Sequence, residues 1–236
     1  MIEFPGEDFR QKEREIIIGK NRFGEKGIRL ALQVPGLNIK GKLNFGVLSP
    51  LKYDIMGPFS LVPFMECRHS VWSMKHWVWG KMCINGKEYD FDRADGYWEG
   101  DCGRSFPKQY VWTQCSFYAG ALMLSVAEIP LAGFQFRGVI GVVLWRGKEY
   151  RLAAYLGAKA VRIRHGLVKV VQGELELEAE LLEKKGKALK APTGGNMDRV
   201  IHESVACGAR YRFRQGGRTI LEFETDRASF EYEYNV

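Results

Sequence analysis

Glu174-Leu175-Glu176-Leu177-Glu178-Ala179-Glu180-Leu181 sets an acid at every even position and an apolar residue at every odd one. In an extended chain successive side chains point to opposite faces, so this stretch has one charged and one apolar face. Glutamate, leucine and alanine favour a helix on propensity alone. A helix would spread these acids around its circumference and leave no apolar stripe. The strict alternation therefore predicts a strand. Ala160-Val161-Arg162-Ile163-Arg164 repeats the pattern with bases, and Ile28-Arg29-Leu30-Ala31-Leu32-Gln33-Val34 and Lys40-Gly41-Lys42-Leu43-Asn44-Phe45 also alternate.

Turn signals separate these segments. Asn85-Gly86 stands between Trp79-Gly80-Lys81-Met82-Cys83-Ile84 and Glu88-Tyr89-Asp90-Phe91, a two-residue hairpin signal. Arg146-Gly147-Lys148 and Gln215-Gly216-Gly217 act the same way later. Gly194-Gly195-Asn196 lacks the GKS/T ending and following helix of a phosphate loop and reads as a turn. No long amphipathic helix is evident. Many short strands with frequent turns predict an all-β fold, an antiparallel sandwich or barrel. The chain changes character near Gly120: Trp, Cys and Pro dominate before it, alternating charge and plain aliphatics after it. Two β halves are expected, 1–119 carrying the chemistry and 120–236.

Composition removes several classes. The chain has 236 residues, 46% hydrophobic and 27% charged, long enough for a sizeable core and too apolar to be disordered. No run reaches the roughly 18 apolar residues of a membrane-spanning helix. The acidic start, Met1-Ile2-Glu3-Phe4-Pro5-Gly6-Glu7-Asp8, lacks the order of a signal peptide, so a cytoplasmic location is expected. Cys67, Cys83, Cys102, Cys115 and Cys207 are odd in number and form no CxxC pair. They read as reduced thiols rather than a disulfide framework or zinc ribbon. The net charge of +7 is dispersed among acids. Arg210, Arg212 and Arg214 share a strand face, but Glu222 and Glu224 follow at the same spacing, so cross-strand ion pairs account for both sets. Nucleic acid is not an expected partner. Transient contact with a membrane surface remains compatible with the charge.

The informative segment runs from Ser49 to Cys115 and holds five of the six tryptophans. Glu99 and Asp101 are two apart, so on a strand they point together with Tyr97, and Trp98 points away. Tyr110, Trp112 and Gln114 form a second same-face set. Two carboxylates beside aromatic walls make an acid site, because burial and a neighbouring carboxylate both favour a proton held at neutral pH. Pairing of the two acids with Arg104 or Lys108 is the alternative. The tryptophans suit a core as well as a pocket wall. His69 and His76 do not have HExxH spacing, and neither a metal nor a cofactor is expected.

Trp98-Glu99-Gly100-Asp101-Cys102-Gly103, then Phe106-Pro107, then Trp112-Thr113-Gln114-Cys115, resembles the Glu-x-Asp/Asn-Trp-Gly, Phe-Pro and Trp-x-Trp/Val-Gln-Cys/Ser-Asn signature of the tocopherol cyclase family. Met56-Gly57-Pro58-Phe59, Pro63-Phe64-Met65-Glu66-Cys67 and Ser73-Met74-Lys75-His76 are similar to segments of its bacterial members. Ala191-Pro192-Thr193-Gly194-Gly195-Asn196-Met197 with Arg199-Val200-Ile201-His202-Glu203-Ser204 resembles its closing motif. The resemblance spans about residues 40–236. It implies a calycin-like fold of two lipocalin-type halves, related to carotenoid hydratases. It implies a small hydrophobic ligand or lipid as partner, and cyclisation of a prenylated quinol or hydration of a polyene as chemistry. A pocket that only binds such a ligand is the alternative. Asp101 or Glu99 would be the acid, Trp98 and Trp112 the aromatic faces, and His76 or Gln114 would orient the substrate beside Tyr97 and Tyr110. Cys102 stands where the family usually has Trp. The family's earlier Gly-Trp-Tyr segment has no counterpart, so the first half is expected to be N-terminally incomplete.

Overall fold

The computed structural model describes residues 2–63, 65–131, 134–183 and 186–234. Phe64, within one of the family-like segments, lies outside them. The chain is almost entirely antiparallel strand, in two sheets. Contacts group it into two units, Met1–Pro50 with Trp72–Trp98, and Leu51–Val71 with Glu99–Val236. No helix of the described residues is long and apolar enough to cross a membrane.

The first sheet is a meander in chain order: β1 (Phe9–Lys12), β2 (Glu15–Ile18), β3 (Asn21–Gly24), β4 (Gly27–Val34), β5 (Leu37–Phe45), β6 (Cys67–Ile84) and β7 (Lys87–Gly103). Asn85 and Gly86 connect β6 to β7 with φ of 49° and 82°. Both fall in the left-handed region that a type I′ hairpin turn needs. The first unit takes β1–β5 and the lengths of β6 and β7 nearest that turn. The far ends, 67–71 and 99–103, belong to the second unit.

The second sheet contains β8 (Tyr110–Phe117), β9 (Gly120–Leu131), β10 (Phe134–Trp145), β11 (Lys148–Ala153), β12 (Lys159–Arg164), β13 (Leu167–Gln172), β14 (Leu175–Leu181), β15 (Lys187–Thr193), β16 (Asn196–Gln215) and β17 (Arg218–Tyr232). Its order is β11-β10-β9-β8-β17-β16-β14-β13-β12, with β15 pairing β16. Contacts between β10 and β12, and between β11 and β13, show that the sheet curls until its ends approach. Among the described residues neither sheet is hydrogen-bonded into a closed barrel. The all-β expectation holds, in the form of open sheets.

The curl encloses an apolar core that includes Val111, Leu122, Leu124, Val168, Leu177, Tyr211, Phe213 and Phe230, all buried. Leu175–Leu181 of the alternating stretch is β14. Its Leu177 and Ala179 enter this core, while its acids form a ladder on the opposite face. Glu176, Glu178 and Glu180 stand opposite Arg214, Arg212 and Arg210 on β16. Arg212 and Arg210 reach on to Glu222 and Glu224 of β17. The arginine cluster is thereby neutralised within the sheet.

Burial and exposure set different weights for the two faces. Phe213→Ala removes a fully buried ring and should cost about 3–5 kcal/mol. Arg212→Ala breaks exposed pairs and should cost about 1 kcal/mol or less. Urea unfolding followed by circular dichroism compares them. Equal losses would mean that the ladder, rather than the core, holds the sheet.

Candidate functional site

The second unit contains a pocket of about 230 Å³. One side is the outer face of β8, β9, β10 and β17, the face opposite the enclosed core. Period two decides which side chains reach it. On β8 Val111 and Thr113 turn inward, while Tyr110 and Trp112 turn to the pocket. Trp112 is paired with Ser125 on β9 and with Glu231 on β17, so all three share this face. The far ends of β6 and β7 bring Cys67 and His69, and Glu99 and Asp101.

Two local devices hold the walls. At the end of β7, a Cβ on Gly103 would lie 2.0 Å from the Glu66 carbonyl oxygen. Glycine permits that approach, and Arg104 N–H then donates to the same carbonyl at 2.7 Å. The Phe106-Pro107 loop is tied to the Gly194-Gly195 turn. Gly195 N–H donates to Arg104 O, Gly194 N–H to Ser105 Oγ, and Phe106 N–H to Pro192 O. Two family-like motifs 90 residues apart in sequence are therefore one scaffold, with Phe106 on the pocket wall.

A further wall comes from Met56, Phe59, Val62, Pro63, Met65 and Glu66. The buried Arg151 stacks its guanidinium 3.6 Å from the Tyr53 ring centre. It donates to the carbonyls of Tyr53 and Asp54 at 2.9 and 2.8 Å and pairs with Glu149 at 3.0 Å. This fixes the chain leading into the short 3-10 helix Gly57–Leu61. Gly57 has φ +53° and sits where a Cβ would strike the Tyr155 ring. Phe59 of that helix packs on Phe136 and Tyr155. Met56 and Phe59 of this segment, with Ile129, Phe136 and Ile140 of β9 and β10, make the pocket lining mostly apolar.

One end of the pocket is densely polar. His69 Nδ1 lies 2.9 Å from Asp101 Oδ1, and its Nε2 lies 3.0 Å from Glu99 Oε2. Glu99 Oε2 also accepts from Trp112 Nε1–H at 3.2 Å. Burial disfavours a charged imidazole, but hydrogen bonds and charge from Asp101 and Glu99 outweigh it and push the His69 pKa up to about 10. At neutral pH His69 is thus a cation that donates from Nδ1 to Asp101 and is ion-paired through its Nε2 side with Glu99. The Cys67 thiol donates to Asp101 Oδ1 at 3.6 Å, and burial together with the Asp101 charge holds it protonated.

Glu231 completes this end. It accepts a short hydrogen bond from Tyr110 OH. Burial, opposed by that bond and assisted by the charges of Glu203, Glu99 and Asp101, pushes its pKa up to about 7. Burial and the Glu231 charge raise the Tyr110 phenol well above its ordinary range, so Tyr110 stays a donor.

Four of the sequence candidates meet in the pocket: Glu99, Asp101, Tyr110 and Trp112. Gln114 lies on the same face of β8, buried, with its amide donating to Ser116 Oγ at 3.4 Å. His76, Tyr97 and Trp98 belong to the first unit. There His76 is hydrogen-bonded to Ser73 Oγ at 2.9 Å and packs 4.4 Å from the Phe45 ring, and burial lowers its pKa. Trp98 packs on Trp72 at 5.0 Å. Cys102, the departure from the family pattern, is exposed on the face of β7 away from Glu99 and Asp101. Among the described residues no group of His, Cys, Asp and Glu is arranged to hold a metal ion.

His69 and Glu231 escaped the sequence reading. For His69 the hairpin gave only part of the signal: it stands 16 residues before Asn85 and Cys102 stands 16 after Gly86, so an unbroken register sets His69 opposite Cys102, one place from Asp101 and on the other face. For Glu231 there was none, because its contact with Tyr110 spans 121 residues.

The profile of the Tocopherol cyclase-like family matches residues 37–232. The chain belongs to that family. It is 26% identical over 162 residues to the probable chloroplastic tocopherol cyclase of Oryza sativa subsp. japonica. That stretch covers 63% of this chain but 34% of the rice protein, so the chain spans about a third of that relative. Two solved structures share the fold. Kievitone hydratase from Nectria haematococca superposes with a TM-score of 0.53 at 11% identity, covering 92% of this chain and 70% of that one. A putative AttH from Nitrosomonas europaea gives 0.53 at 11% identity, covering 98% and 73%.

The two raised pKa values act on stability in the same direction. The folded chain keeps a proton on Glu231 between its ordinary 4.5 and about 7, where the unfolded chain has lost it. It keeps one on His69 between 6.5 and about 10. Stability therefore falls as pH rises, through Glu231 up to about 7 and through His69 above about 6.5. Thermal unfolding by circular dichroism should show a melting temperature decreasing from pH 5 to 9.5. His69→Gln should flatten the part above pH 7. A melting temperature that rises over this range would contradict the charge assignment.

Proposed function

We propose that the pocket takes the alkene-bearing end of a prenyl or polyene lipid and promotes proton addition to its double bond, leading to cyclisation or hydration. The observation that carries this reading is the Glu99–His69–Asp101 cluster facing an otherwise apolar wall. Protonating an alkene creates a carbocation in a site that must exclude competing water. Glu99 and Asp101 place negative charge beside that cation. The faces of Trp112, Tyr110 and Phe106 add the attraction of aromatic rings for positive charge. His69 holds the two carboxylates in fixed positions, which is the preorganisation that makes such stabilisation effective.

The ligand's own oxygen, or a single water, then captures the cation. The first outcome is a cyclisation and the second a hydration. The family assignment and the printed names of the rice relative and of kievitone hydratase support this pair of reactions. The pocket is smaller than the ~300–1,000 Å³ usual for a drug-sized ligand. It suits the reacting end of a long molecule, with the remaining tail outside.

A second reading is carriage without turnover. Its support is the apolar wall, which suffices for binding. Incubation with a prenylated hydroquinone, followed by mass spectrometry and chromatography of the extracted lipid, separates the two. The catalytic reading expects a cyclised or hydrated product. It also expects Asp101→Asn to lose turnover by about 100-fold or more while quenching of Trp112 fluorescence still reports binding. Binding with quantitative recovery of unchanged ligand favours carriage. Unchanged turnover in Asp101→Asn removes Asp101 from the mechanism.

A further inference from the structure

Glu99 and Asp101 already share the His69 cation. Glu231, at the same end of the pocket, has a different setting. Its strand neighbour across β16 is Glu203, directly opposite in register. Opposed side chains on paired strands have Cβ atoms about 4.5–5.5 Å apart, and like charges there repel. Among the described residues no lysine, arginine or histidine forms an ion pair with Glu231 or Glu203. Arg199 is engaged elsewhere, 3.6 Å from Glu233 and 5.7 Å from the Tyr110 ring centre, with its N–H groups on the carbonyls of Pro107 and Lys108.

The groups facing Glu231 are therefore Tyr110 from β8, Glu203 from β16, and Glu99 and Asp101 from β7 with the His69 cation from β6. Repulsion and burial in this ring both favour a proton on one carboxyl. Tyr110 OH donates to Glu231 Oε2, which leaves Oε1 to carry that proton. Glu231 is on the pocket surface, so the proton is presented to a bound molecule.

We propose that Glu231 is the catalytic acid of this pocket, positioned by Tyr110 and kept protonated by Glu203. This rests on the reading that the pocket protonates an alkene, and it moves the proton donor away from Asp101 and Glu99. In the step, the O–H bond at Glu231 Oε1 breaks and a C–H bond forms from the alkene π pair, leaving a carbocation and a Glu231 carboxylate. Tyr110 OH stabilises that carboxylate. The capturing oxygen, from the ligand's hydroxyl or from water, forms the C–O bond and loses its proton to Glu231. The acid is regenerated and no proton is consumed overall.

The test measures turnover of a prenylated hydroquinone against pH, together with carbon-13 NMR of glutamate-labelled protein. Wild-type turnover should fall as pH rises through about 7, because only protonated Glu231 can donate. A glutamate carboxyl titrating near that pH should vanish from the spectrum of Glu231→Gln. That variant should lose turnover by about 100-fold or more, the range of general acid catalysis, while ligand affinity from tryptophan quenching stays within about 3-fold. Glu203→Gln removes a repelling charge and should move the alkaline limb to lower pH. Tyr110→Phe removes a donor to the carboxylate and should move it to higher pH. A merely structural role for either residue would leave the limb in place.

Turnover by Glu231→Gln within about 3-fold of wild type, with Asp101→Asn inactive, overturns the Glu231 assignment alone. A wild-type limb that neither Glu203→Gln nor Tyr110→Phe shifts overturns it as well. Wild-type protein that binds the hydroquinone and never converts it overturns both this assignment and the reaction on which it rests.

Discussion

The charged imidazole of His69, held between Glu99 and Asp101, sets the terms for the rest of the site. A buried cation is tolerated only with well-placed opposite charge and filled hydrogen bonds. Both ring nitrogens meet a carboxylate at about 3 Å, which requires the far ends of β6 and β7 to stay in register. That in turn depends on the close approach at Gly103 and on the Arg104 and Ser105 N–H groups that converge on Glu66 O. Trp112, through its indole N–H to Glu99, ties the cluster to the second sheet. One end of the pocket is thus rigid and charged, and the other is a wall of rings whose position depends on Arg151.

Much of this was legible in the chain. Alternation in Glu174–Leu181 decided strand over helix, and Asn85-Gly86 placed a hairpin. Period two put Glu99 beside Asp101 and Tyr110 beside Trp112, and the structure has each pair on the pocket. These are local facts, carried by a few neighbouring residues. Glu231 was not legible, because its meeting with Tyr110 depends on β17 returning to pair with β8 across most of the second half. His76 drew attention by its Ser-x-x-His spacing, yet in the first unit it packs on Phe45 and bonds to Ser73. The closing motif around Gly194-Gly195 reads in the sequence only as a turn. Its task is to hold the loop that carries Phe106.

The distribution of charge gives the pocket its chemical character. Four of its hydrogen-bond donors, His69, Trp112, Tyr110 and Cys67, point to carboxylates within the protein. What remains for a ligand is negative charge, the Ser125 hydroxyl, aromatic faces and apolar surface. That combination favours a species that becomes positive after it enters, which is what protonation of an alkene produces. In the proposed reaction the two carboxylates bound to the His69 cation stabilise charge, and the third, opposed by another acid, supplies the proton.

The most direct measurement is the fate of a solvent proton. The protein is incubated with a prenylated hydroquinone in deuterium oxide, and the recovered lipid is examined by mass spectrometry and NMR. Proton addition to the double bond predicts one deuterium on the former alkene carbon that does not gain the oxygen, in a cyclised or hydrated product. Recovery of the hydroquinone unchanged and without carbon-bound deuterium, from protein shown to bind it, would contradict the account.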